Sequence, residues 1–175
     1  ILTAIIFTNF SQEKDRNALK SAVHQLQTDL QAMQTNAQGG VLYNSLAPKG
    51  YGVWLSKSNN FNTYHTLFVH TSGDGTPGNP VITSNIQERK YTTDNTVQIY
   101  RITGQVSGAT VLYDRVDIEN TIPNGFTTLY GSPPVTNAPT STSIAIKSTK
   151  LDICYAITVT ANVGTVSKRQ LASCI

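Results

Sequence analysis

The stretch that decides the fold is Ile1-Leu2-Thr3-Ala4-Ile5-Ile6-Phe7, followed by Asn9-Phe10-Ser11, the charged run Glu13-Lys14-Asp15-Arg16 and a patterned segment that ends at Gly39-Gly40. From Leu19 onward, Ala22, Val23, Leu26, Leu30, Met33 and Ala37 recur at steps of three and four. That spacing predicts one apolar stripe along a helix, which needs only one face covered. Ile1, Leu2, Ile5, Ile6, Phe7 and Phe10 are instead distributed around the helix, and an all-round apolar helix needs a membrane or other chains as neighbours. The Gly39-Gly40 pair supplies the stop. A continuous helix over 1–38 is roughly 57 Å long at 1.5 Å per residue. The opening apolar run is shorter than the ~20 residues needed to span a bilayer. It also lacks the basic start and small-residue cleavage site of a secretory signal. The competing reading folds these first residues into the domain's own core.

After Gly40 the character changes. Only 13% of the 175 residues are charged, and the abundance of Thr, Ser, Asn and Gly suits short strands and polar turns. Strands are predicted over 51–56, 64–70, 96–103, 109–118, 126–130, 143–148, 153–160 and 163–168, with 132–143 as a surface loop. The expected class is α+β, with residues 1–38 as a long helix packed on a β-rich head formed by 39–175. The two cysteines, Cys154 and Cys174, are too far apart for a CxxC motif. One disulfide, and hence an oxidising compartment, is the economical reading, with two free thiols as the alternative.

The run Ile1-Leu2-Thr3-Ala4-Ile5 leading into a charged amphipathic helix resembles the later part of the N-terminal segment shared by type IV pilins and type II secretion pseudopilins. In that family a Phe-Thr-Leu-Ile-Glu start precedes the apolar run. That start is missing here, so Glu13 does not correspond to the family's glutamate, and residues before Ile1 are expected. Gly50-Tyr51-Gly52-Val53-Trp54-Leu55, Tyr64 to Val69 and the Ser72-Gly73-Asp74-Gly75 loop are similar to the progression in H-type pseudopilins and minor pilins. Ile157-Thr158-Val159-Thr160, Gly164 and Val166-Ser167 resemble the family's closing hairpin. The resemblance implies a structural subunit of an extracellular or periplasm-spanning filament. Its partners would be copies of itself or other pilin subunits, with insertion in the inner membrane before assembly. Whether a major pilin, a minor pilin or a pseudopilin is meant stays open.

No catalytic signature is present: the chain lacks G-x-S-x-G, H-E-x-x-H, a P-loop and G-x-G-x-x-G. No enzyme, cofactor or metal is expected. His65 and His70 are five apart and face opposite sides of a regular strand, which argues against a shared metal. Some pseudopilins bind calcium, and Ser72 to Asn79 would be the loop for it. That loop carries one carboxylate where Ca²⁺ prefers several. Trp54, Tyr51, Tyr64 and Phe68 are expected as core or cross-strand aromatics, with a sugar or base platform as the alternative. Residues 1–120 balance nine cations against nine anions, so the net charge of +3 lies beyond them, in Lys147, Lys150, Lys168 and Arg169 against Asp152. Some minor pilins bind DNA, and these four cations are the expected phosphate contacts if this chain does. A free-standing secreted β-rich binding domain is the rival from another class.

Overall fold

A computed structural model of the chain describes residues 2–45, 47–70, 84–121, 125–132, 139–161 and 164–174. Helix α1 runs over Leu2–Gln38. No Pro or Gly interrupts it, and its end follows from Gly40, which adopts φ +60°. Gly40 N–H donates to the Ala37 carbonyl at 3.2 Å and Val41 N–H to the Asn36 carbonyl at 3.1 Å, the paired closure of a Schellman cap. The Tyr51 hydroxyl then ties Val41 O to the head at 2.9 Å.

Among the described residues ten strands follow: β1 Gly50–Ser56, β2 Tyr64–His70, β3 Ser84–Lys90, β4 Val97–Val106, β5 Ala109–Tyr113, β6 Arg115–Thr121, β7 Gly125–Ser132, β8 Ser141–Ser148, β9 Cys154–Thr160 and β10 Val166–Gln170. They form two five-stranded sheets, ordered β3-β2-β1-β6-β7 and β10-β9-β8-β4-β5, with antiparallel pairing throughout. The class is therefore α+β, with one N-terminal helix and two sheets.

Two elements differ from the sequence reading. The single strand expected over 109–118 is broken at Asp114, and its halves β5 and β6 belong to different sheets. The break is pinned from the end of β1: Lys57 N–H donates to Asp114 O at 2.8 Å, the Ser56 hydroxyl reaches the same carbonyl at 3.3 Å, and Lys57 Nζ meets the Asp114 carboxylate at 3.1 Å. Strand β3, Ser-Asn-Ile-Gln-Glu-Arg-Lys, has no apolar alternation. It is an edge strand held by backbone bonds to β2, and charged edges of this kind resist pairing with other chains. Of the loop expected over 132–143, Ser132 belongs to β7 and Ser141 to Ser143 belong to β8, while 133–138, like all of Ser72 to Asn79, lie outside the described residues.

The helix stripe joins the sheets into one core. Leu19, Ala22, Val23, Leu26, Leu30, Met33 and Ala37 are all buried. They form one cluster with Val53, Leu55 and Ile118 of the first sheet and Ile99, Ile144 and Ile157 of the second. Burying each larger side chain contributes roughly 1.5–3 kcal/mol.

Cys154 and Cys174 are joined by a disulfide, 20 residues apart in sequence. The bridge closes the open end of the β9–β10 hairpin, where Leu171 N–H also donates to Cys154 O at 3.0 Å. Replacing both cysteines with Ser is expected to lower stability by about 3 kcal/mol on the chain-entropy account. Urea unfolding of the two forms checks this, and equal midpoints would refute it.

Candidate functional site

Where the head stops covering α1 is visible in its side chains. Residues 10–14 are all exposed, Phe10 at 75%. Five consecutive residues exceed one helical turn, so no face is covered there. Asp15 is the first buried residue among the described side chains. Lys150, in the β8–β9 loop, lies 3.5 Å from Asp15 and 3.6 Å from Asp94. From Leu19 the stripe enters the core. Leu2, Ile5, Ile6 and Phe7 lie in the helix, but their side chains, like Ile1, lie outside what the structure describes. Among the described residues, no helix is long and apolar enough to cross a membrane.

The four C-terminal cations do not share one face. In the row Arg169, Ala156, Ala145, Arg101 each residue pairs with the next across the second sheet, so Arg169 and Arg101 lie on the same side. Lys147, two residues after Ala145, lies there too. That side faces away from the core. Lys168 pairs with buried Ile157 and so lies on the opposite side, at the exposed edge of β10. Lys150 is the clamp on Asp15. Arg101 and Lys147 both approach the Tyr100 ring, at 5.6 and 5.4 Å from its centroid, a geometry in which the ring face attracts each cation.

Two buried acid–histidine pairs were not anticipated. His65 Nε2 donates to Asp29 Oδ2 at 2.9 Å, and Arg89 lies 3.8 Å from the same oxygen. His65 Nδ1 and the Tyr91 hydroxyl, also buried there, have no hydrogen-bond partner among the described residues. Burial raises the Tyr91 hydroxyl pKa, and the Asp29 charge adds to that. A signal for this pair exists in the sequence. Asp29 falls on the helix stripe between Leu26 and Met33, and His65 falls in phase with the inward-facing Leu67 and Val69.

The second pair lies on the outer side of the first sheet, where His70 Nδ1 and Glu119 Oε1 share a hydrogen bond at 3.0 Å across β1. Asp117, two residues from Glu119 and 3% exposed, sits beside it. Burial pushes the Asp117 carboxyl up to about 7; Arg115 opposes this and Glu119 adds to it. Glu119 is likewise raised by burial, against the pull of His70 and Lys49. Among the described residues, one oxygen of each carboxyl has no hydrogen-bond partner. The strand between them carries Gly52, where a Cβ would lie 2.6 Å from the Ile118 carbonyl oxygen and run into the Phe68 ring. Among the described residues, no group of three or more His, Cys, Asp or Glu is arranged to hold a metal. His24 is exposed on the helix.

Of the expected aromatics, Tyr51 and Phe68 are buried. Trp54 and Tyr64 cluster with Phe61, which the sequence reading did not include, at centroid separations of 5.6 to 6.2 Å. Phe61 is 42% exposed at the β1–β2 connection.

Comparison with models of protein families, with curated proteins and with solved structures finds no match to this chain.

Proposed function

We propose that the chain is a structural subunit of a type IV pilus-like filament, exported through the inner membrane and assembled at the cell surface through its N-terminal helix. The observation that carries this reading is the change along α1. One helix passes without interruption from a segment exposed on every face at residues 10–14 to a stripe buried against two sheets. The sequence distributes Ile1, Leu2, Ile5, Ile6, Phe7 and Phe10 around the N-terminal end of that helix. Covering such a segment with copies of the same helix removes apolar surface from water at about 25 cal/mol per Å². The disulfide fits an oxidising compartment. In this reading the protein itself makes and breaks no bond.

The test compares the full chain, a form lacking residues 1–10, and the double variant Ile5→Asp with Ile6→Asp. The full chain is expected to self-associate or to require detergent micelles, as read by analytical ultracentrifugation. The truncated form should be a folded monomer with an unchanged thermal midpoint, because the core from Leu19 onward is intact. The double variant should not associate, since unpaired charges would have to be buried. If truncation unfolds the head, the first residues belong to its own core, and the free-standing secreted binding domain replaces the filament subunit.

A further inference from the structure

The second sheet has an unusual charge inventory. None of the residues of β4, β5, β8, β9 and β10 is Asp or Glu, while these strands carry Arg101, Lys147, Lys168 and Arg169. The first sheet, by contrast, balances Glu88, Asp117 and Glu119 with Arg89, Lys90 and Arg115. Three of the four cations of the second sheet, Arg101, Lys147 and Arg169, lie on its outer side.

That side is also concave. A cavity of about 350 Å³ is lined along its length by the row from Arg169 to Arg101 and by hydroxyl-bearing neighbours, a volume within the range of small-molecule and oligomer sites. The concavity has a cause in the residues. Between the two arginines the row is occupied by Ala156 and Ala145, both buried and small, so the floor is low where the ends are long. Four strands at about 4.8 Å spacing separate the arginine backbones by roughly 14 Å. Beyond the alanines, the next rows place Thr158, Ser143 and Thr103, then Ser141, Gln105 and Thr110, along the same groove. Thr158 and Ser143 hydroxyls lie 3.5 Å apart, and Gln105 donates to the Thr110 hydroxyl at 2.7 Å.

We propose that this groove binds an acidic polysaccharide, a chain of sugars bearing carboxylate or sulfate groups. The guanidinium of Arg169 offers the planar, two-pronged donor set that matches either anion, and Arg101 and Lys147 supply positive potential at the far end. The Ser and Thr rows match a ligand that is itself covered in hydroxyls. A nucleic acid fits less well. Among the described residues the groove lining carries no aromatic ring for base stacking, and the ring of Tyr100, next to Arg101 in the chain, already faces Arg101 and Lys147. The inference is independent of the assembly reading, since the sheet lies wholly in the head.

The experiment titrates the full chain with an oligomer of polygalacturonate, one of dextran sulfate, neutral dextran of the same length and a single-stranded DNA oligomer, at low and high salt. At least one acidic sugar chain should bind, with affinity falling as salt rises, and neutral dextran should not. Arg169→Glu should weaken that binding at least tenfold and Thr158→Val several-fold. Lys90→Glu, on the first sheet, should change it less than twofold. The thermal midpoint of each variant establishes that the head is folded. The proposal is overturned if neither acidic sugar chain binds, or if Lys90→Glu weakens binding as much as Arg169→Glu. It is equally overturned if DNA binds more tightly than both sugar chains and is indifferent to Thr158→Val, which would assign the face to nucleic acid.

Discussion

Replacing Asp117 with Asn is expected to stabilise the head at pH 8 far more than at pH 4.5. Burial raises the Asp117 carboxyl from an ordinary 3.8 to about 7, so the native chain holds a proton there that the unfolded chain releases near pH 4. Stability linked to this group is therefore fully present below the unfolded value. It falls as pH rises through the window from about 4 to about 7, then stays constant above it. Roughly three pKa units at 1.36 kcal/mol each place the full change on the order of 4 kcal/mol. Asparagine carries no such proton, so the difference between variant and parent should open across that window and then plateau. Glu119 is shifted in the same direction but is present in both proteins and largely cancels. Urea denaturation of the two forms at several pH values reads the effect. Parallel curves across the window would mean that Asp117 is solvated or paired in solution.

His65→Leu should destabilise the head by about 3–5 kcal/mol, although leucine is apolar and close in size. The imidazole is fully buried and donates to Asp29, whose side chain is only 13% exposed. Without that donor the carboxylate keeps, among the described residues, Arg89 at 3.8 Å, and removing the hydrogen-bond donor of a buried carboxylate leaves it poorly compensated. The double variant Asp29→Leu with His65→Leu should recover most of the loss, because it leaves no buried charge on the seam between helix and sheet. Thermal or chemical unfolding of the three variants forms the cycle. If the double variant is no more stable than His65→Leu, the cost lies in packing rather than in the stranded carboxylate.

Both predictions concern groups whose type is plain in the sequence and whose environment is not. The helix was legible because its information is local. A repeat of three and four from Leu19 to Ala37, uninterrupted by Gly or Pro and closed by Gly39-Gly40, permits one conformation and one buried face, and every residue of that stripe is buried. The strands over 51–56 and 64–70 were legible for the same reason, being short apolar runs between turn residues, and so was the even cysteine count that suggested a single bridge.

What depends on partners distant in the chain was not legible. The segment 109–118 reads as one strand because its propensity is continuous. Only contacts from Ser56 and Lys57, some 58 residues earlier, bend it at Asp114 and send its halves to different sheets. Strand β3 owes its conformation to the β2 backbone rather than to its own polar residues. Lys150 reads in the sequence as one of four cations expected to meet phosphate, and is drawn to Asp15 and Asp94 by the packing of a loop on the helix. The sequence by itself determined the helix, its buried stripe, the β-rich character of the head and the charge surplus at its C-terminal end. Which charges share a surface, and which carboxyls are buried, were decided only by the stacking of two sheets, because strand order sets the neighbours of every side chain across a sheet while leaving no periodic trace along the chain.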